Sequence, residues 1–217
     1  FIGQYGDRGE IPLVTFALNV DDQIYFSDYK PRAEAGKIAR RPVMLSMNSN
    51  EFSSLLPWPS KSLENSYDQK AVNTGMIPFA VYSLLNSTTY RSRLHIPVYR
   101  FQNAAEFPNL KYYKWLGAYH GAETPLVFGS YGLLDHVSKT TDFQVEVSHL
   151  LQDHVLAFLE DPCGGPEKLG WEPMATSDVY GGFLRRFGGS SGKATERISG
   201  NEVDGVCSGA QEYETFP

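Results

Sequence analysis

Pro42-Val43-Met44-Leu45-Ser46-Met47-Asn48-Ser49-Asn50-Glu51 opens on a short apolar run and closes on a polar one. Val43 to Leu45 is the kind of run found in a buried parallel strand, whose two faces both need apolar cover. Glu51 then falls just past the carboxyl end of that strand, where open α/β sheets build their sites. Ile96 to Phe101 is a second run of this type, leading into a polar, aromatic-rich loop from Gln102 to Leu116. Asp142 to Glu160 reads as the clearest helix. Thr141 and Gln144 have capping-box spacing before it, and Phe143, Val147, Leu151, Val155 and Phe158 recur at near-helical intervals. Asp161-Pro162 stops it.

Weaker patterns fill the rest. Thr15 to Val20 alternates like a strand running into a turn at Asp21-Asp22, and Pro31 to Arg41 reads as a short helix. Leu63 to Leu85 looks helical in two pieces, broken around Asn73-Thr74-Gly75, and Asp178 to Phe187 suggests short strands. Alternating strands and helices predict an α/β class, a mainly parallel sheet flanked by helices. Only about three good buried strands can be counted, few for a doubly wound domain. The sheet is therefore expected to be incomplete without an N-terminal segment. Residues 1–174 read as the C-terminal part of a single domain, and residues 175–217 as its peripheral Gly/Ser-rich tail.

Of the 217 residues, 41% are hydrophobic and 13% aromatic, enough for a packed core. The net charge of -6 is scattered, with no block of five like charges, so neither a nucleic-acid patch nor a polybasic anchor is expected. The longest apolar stretch, near Leu13 to Leu18, is far short of a membrane span. The chain starts at Phe1 rather than at a Met or a leader, and the start reads as a cut. Cys163 and Cys207 are too few for a disulfide scaffold and could pair, bond elsewhere or stay free. Clustered Cys and His ligands are missing, so no metal site and no cofactor are expected. His95, His136, His149 and His154 read as structural or surface residues, with His154 on the apolar side of the late helix. Asn86-Ser87-Thr88 is an acceptor sequon for N-glycosylation.

Trp115-Leu116-Gly117-Ala118-Tyr119-His120-Gly121-Ala122-Glu123-Thr124-Pro125-Leu126-Val127-Phe128-Gly129 resembles the catalytic-histidine signature of type-B carboxylesterases and cholinesterases, which are α/β hydrolases. The segment Pro42 to Glu51 resembles the strand and loop that carry the family's catalytic acid. The likeness spans roughly Ile24 to Trp171, and secreted fungal members look nearest. It implies that His120 is the general base and Glu51 the acid that orients it, in the chain order acid then histidine usual for the fold. By the same resemblance Glu123 is a structural hydrogen-bonding residue, and Phe52, Trp58, Trp115 and Tyr119 line the substrate pocket. Many members have glycine where this chain has Phe52. The implied activity is hydrolysis of a small-molecule carboxylic ester outside the cell.

The serine nucleophile should precede Glu51 in a Gly-x-Ser-x-Gly elbow, and no such motif does. Gly188-Gly189-Ser190-Ser191-Gly192 matches formally, but it follows the histidine and reads as a flexible loop. The oxyanion-hole glycines are absent too. An N-terminal segment or separate chain is therefore the expected partner. A catalytically silent cholinesterase-like binding protein is one alternative, disfavoured by retention of both Glu51 and His120. An acyltransferase or other biosynthetic enzyme that reuses the triad is another.

Overall fold

The computed structural model describes residues 20–56, 68–174, 181–209 and 211–217. The chain divides into two compact units, Phe1–Ala39 and Arg40–Pro217. In the first, the described residues hold one helix, Tyr29–Glu34, shorter than the one expected to reach Arg41. Before it, the Asp21 carboxylate accepts N–H bonds from Gln23, Ile24 and Tyr25 and makes a tight turn, as the sequence suggested. Bonding to the Tyr25 region is the largest influence holding that carboxyl below its usual range. The preceding strand expected over Thr15 to Val20 lies almost wholly outside the described residues.

The second unit is built on a four-stranded sheet in the order β1-β2-β3-β4. Its strands are β1 (Val43–Asn48), β2 (Val98–Ala104), β3 (Phe183–Gly188) and β4 (Thr195–Ser199). β1, β2 and β3 are parallel, and β4 returns antiparallel to β3. β2 is buried along its whole length because it is central and covered on both faces. On one face Tyr99, Phe101 and Phe187 pack with Leu126, Val147, Leu151 and Trp171. On the other, Met47, Leu184 and Ile198 meet Val72, Met76 and Val203. Helix Asp142–Glu160 covers the first face, with Thr141 Oγ1 accepting the Gln144 N–H at its start.

Residues 183–217, expected to be peripheral, instead supply two strands, a helix at Gly200–Asp204 and buried Tyr213 and Thr215. β3 overlaps the short strands expected over Asp178 to Phe187, whereas β4 was hidden by the Gly/Ser content around it and is stabilised by the sheet rather than by its own pattern. Asp204 explains the dependence best. Its carboxylate takes both Nη atoms of Arg100, at 2.6 and 2.9 Å, with both side chains buried. The Gly188–Gly192 motif forms the turn between β3 and β4, not a strand-to-helix elbow.

The break expected at Asn73-Thr74-Gly75 does not occur. Helix Gln69–Met76 runs through it into a π-helical turn, Ile77–Val81, and on into helix Tyr82–Arg93. The buried stripe steps 72, 76, 80 and then restarts at 81, 85, 88, the one-residue offset that an i→i+5 turn introduces. Asn73 and Gly75 of the apparent breaker have tertiary reasons to be there, while Thr74 bonds within its own helix. Asn73 Nδ2 donates to the Tyr213 carbonyl, and Thr74 Oγ1 bonds back to the Lys70 carbonyl. Gly75 faces the ring of Phe52, and an added Cβ would lie 2.1 Å from Phe52 Cδ1.

His154 sits on the apolar side of its helix, against Trp171 and Phe187, as the periodicity suggested. Its Nδ1 lies 2.7 Å from the Leu150 carbonyl, so Nδ1 carries the proton it donates. Burial is the main cause that lowers its pKa below the usual value. A histidine held neutral when folded is protonated first in the unfolded chain, so stability falls as pH drops below about 6.5. His154→Phe should flatten the acid side of the stability curve of the intact protein between about pH 6.5 and 5, measured by thermal melting.

Candidate functional site

β1 and β2 pair in register from Val43 with Val98 to Asn48 with Asn103. Their carboxyl ends therefore stop side by side, and the two loops that follow leave from the same edge. After β1 the chain turns at once into the short 3₁₀ helix Glu51–Ser54. After β2 it runs through a longer loop to Trp115–His120.

Asparagines lock the first turn. Asn103 Nδ2 donates to Asn48 Oδ1 at 2.6 Å, and the Ser49 N–H donates to the Asn103 carbonyl. Asn50 Nδ2 donates to the carbonyls of Trp115 and Leu116, and the Asn50 N–H to the Ala118 carbonyl. Ser53 Oγ adds a bond to the Leu116 carbonyl. The acid loop and the histidine loop are thus stitched together by backbone carbonyls that would otherwise be buried without donors. Gly117 is required at this seam. Its φ is +57°, and a Cβ there would press on Phe216 and Asn50.

Glu51 is buried, and its two oxygens are divided between two partners. Oε1 accepts the Asn48 N–H at 2.6 Å, while Oε2 lies 2.6 Å from His120 Nδ1. A carboxylate can only accept, so Nδ1 carries the proton and the Nε2 lone pair is free to take another. No hydrogen bond to Nε2 is formed among the described residues. The His120 side chain is 56% exposed, so that nitrogen faces outward. The ring itself is held from one side by Phe79, edge-on with centroids 6.0 Å apart.

The structure thus brings Glu51 and His120 together, and Glu123 accepts from Asn48 Nδ2 beside them. Phe52 is half-buried over Gly75 and packs tilted on Phe79, centroids 5.7 Å apart. Trp115 is buried and stacks flat on Tyr113, and Tyr119 donates its hydroxyl to the Leu110 carbonyl. Their described contacts support the histidine loop. Trp58 lies outside the described residues. Asn86 stands inside helix Tyr82–Arg93, half-buried, and Thr88 of its sequon is buried with its hydroxyl on the Leu84 carbonyl, whereas acceptor asparagines usually occupy surface loops. Both cysteines are unpaired. No group of three or more candidate metal ligands, and no helix long and apolar enough to cross a membrane, occurs among the described residues.

Sequence reasoning missed three contributors. Asn48 is the hub that touches Glu51, Glu123 and Asn103, and only its place at the end of an apolar strand could have signalled it. Phe79 carried no motif. The segment 213–217 reaches under the acid loop: Tyr213 donates its hydroxyl to the Ser49 carbonyl, and the Thr215 carbonyl accepts from Ser49 Oγ. Burial pushes the Tyr213 hydroxyl well above its usual pKa, so it remains a neutral donor.

No protein-family model matches the chain. It is similar to Secreted lipase 5 of Gibberella zeae, 33% identical over 171 residues that make up 76% of this chain and 31% of that protein. It is similar also to a chlorogenic acid esterase of Aspergillus niger, 32% identical over 73% of this chain and 30% of that one. The chain spans about a third of the length of these curated relatives. Among solved structures, a PNB esterase superposes with a TM-score of 0.51 over 78% of this chain and 38% of its own, at 15% identity. An esterase from anaerobic Clostridium hathewayi, described as able to hydrolyse aliphatic aromatic polyesters, superposes with a TM-score of 0.50 over 92% and 43%, at 18% identity. The chain therefore has part of an α/β-hydrolase fold.

Asn48→Ala removes the amide that serves the half-buried Glu123 carboxylate and the buried Asn103 side chain. A cost of about 2 to 4 kcal/mol in chemical denaturation of the intact protein is expected. Asn48→Asp should be worse at neutral pH, because it sets a third carboxylate between Glu51 and Glu123. That charge is favoured less in the folded chain, so the deficit should narrow as pH falls and the new group is protonated.

Proposed function

We propose that the chain supplies the base and the orienting acid of a Ser-His-Glu triad in a carboxylic-ester hydrolase of the type-B carboxylesterase kind. The observation that carries this reading is the Glu51 carboxylate 2.6 Å from His120 Nδ1, with Nε2 turned outward. In that tautomer His120 Nε2 removes the proton from a serine hydroxyl as it attacks the ester carbonyl. Glu51 stabilises the imidazolium that results. His120 then returns the proton to the departing alkoxide, leaving an acyl-serine. Water, deprotonated by the same nitrogen, releases the acid and regenerates the serine.

In this reading the serine and the oxyanion hole come from a segment N-terminal to the chain or from a separate polypeptide. Two features support it. Among the described residues β1 has a strand neighbour on one side only, and natural sheets rarely leave a parallel strand's edge uncovered. Phe128 and Leu133, just beyond the histidine loop, are 78% and 80% exposed, apolar surface suited to burial under another segment. The names of the two curated relatives support ester hydrolysis, and one of them supports an extracellular location for this protein. The substrate class follows as a small-molecule carboxylic ester.

His120→Ala in the intact protein should lower kcat for an activated ester by about 10⁴ to 10⁶, because nothing else can activate the hydroxyl. Glu51→Gln should keep the loop's shape and lower kcat with little change in KM, because an amide cannot compensate the imidazolium. Near-normal turnover by a folded His120→Ala protein would overturn the proposal. Transfer of the acyl group to an added alcohol in preference to water would redirect it to an acyltransferase.

A further inference from the structure

We infer that Phe79, carried on the π-helical turn, is a substrate-contact residue that selects esters with a flat apolar or aromatic alcohol group. This inference rests on the reading of His120 as general base and goes on to the recognition that base would need. Phe79 is 46% exposed although its ring abuts both Phe52 and His120, so packing accounts for only part of its surface. Each ring keeps part of its surface exposed, and with centroids 6.0 Å apart the two are adjoining parts of one wall.

The wall is built with some care. A regular helix would carry the buried stripe 72, 76, 80 onward at the same angle. The i→i+5 turn at Ile77–Val81 shifts that register by one residue, about 100° of helix rotation, and seats Phe79 at the His120 ring. Pro78, which has no N–H to lose, occupies the start of that turn. Behind Phe79, Phe52 fills the space that the missing Gly75 side chain leaves open. The Phe52 N–H is fixed against Met76 Sδ at 3.3 Å. Phe52 is thus the backing ring and Phe79 the presented one.

The chemistry decides which part of the ester meets it. An imidazole that hands its proton to the departing oxygen is next to the alcohol half of the ester, not the acyl half. A ring packed on that imidazole therefore borders the alcohol side. Aromatic partners gain there from edge or offset ring contact in addition to burial.

The test compares two ester series in the intact protein. Benzyl acetate and 2-naphthylmethyl acetate carry the flat group on the alcohol side, ethyl benzoate carries it on the acyl side, and ethyl acetate serves as reference. Phe79→Ala should lower kcat/KM for the first two about tenfold or more relative to ethyl acetate, while the benzoate-to-acetate ratio stays within about twofold. Phe79→Leu, which keeps apolar bulk on an exposed site, should lose less and guards against misfolding. Gly75→Ala, which displaces Phe52 and so the backing of Phe79, should shift selectivity in the same direction. An unchanged alcohol-series ratio in a folded Phe79→Ala protein, or equal losses for every ester, would overturn the inference. Loss confined to ethyl benzoate would overturn the alcohol-side assignment. Failure of the hydrolase reading itself would look different, since the unmodified protein would then hydrolyse none of the four or would do so without His120.

Discussion

Parallel pairing of β1 with β2, in register to their last residues, is the constraint from which the rest follows. Because Asn48 stands opposite Asn103, the turn after β1 and the loop after β2 start at one level. Glu51 then needs only three further residues to meet a histidine that is 69 positions away in sequence. A slip of one residue would turn Met47 from the core toward the opposite face and carry the Asn48 hub with it. The polar seam between the two loops makes such a slip costly. Its Asn50 and Ser53 side chains answer the Trp115 and Leu116 carbonyls of the other loop, and Asn103 holds Asn48 side chain to side chain.

The order of the site was readable in advance where physical necessity leaves a mark along the chain. An apolar run that ends abruptly in Asn48-Ser49-Asn50-Glu51 marks a strand's carboxyl end, and the motif around His120 marks its counterpart. Helix Asp142–Glu160 was visible to the residue because one face is apolar at a steady period and Thr141 caps it. What stayed hidden depends on partners far away in sequence. Asn73-Thr74-Gly75 looks like a helix breaker, yet Tyr213 engages its asparagine and Phe52 needs its glycine. β3 falls largely within the stretch Asp178 to Phe187 where short strands were expected, but its Arg185 and Arg186 stand where a strand pattern would call for apolar residues, and β4 was not anticipated. Those arginines are answered by Gln102 and by the Leu169 and Gly170 carbonyls. Phe79 escaped notice for the same reason: local sequence announces neither the π turn nor the ring that it faces.

The segment around Tyr213 and Thr215 ties three parts of the unit to one another. Gln69 and Asn73 reach it from the long helix, Ser49 from the acid loop and Gln102 from the central strand. None of these bonds touches His120, yet all bear on the turn that sets the height of Glu51. The geometry of the pair is therefore a property of the whole unit and not of two loops alone.

Arg100 gives this arrangement a history as well as a shape. Its neutralising carboxylate lies 104 residues further along the chain, on the helix Gly200–Asp204. A guanidinium in the middle of a covered strand cannot be desolvated without that partner. β2 is therefore not fully closed over until the residues that carry Asp204 have joined it. Contacts that join residues so far apart in sequence close slowly, so the position of a single aspartate bears on how late the central strand is sealed.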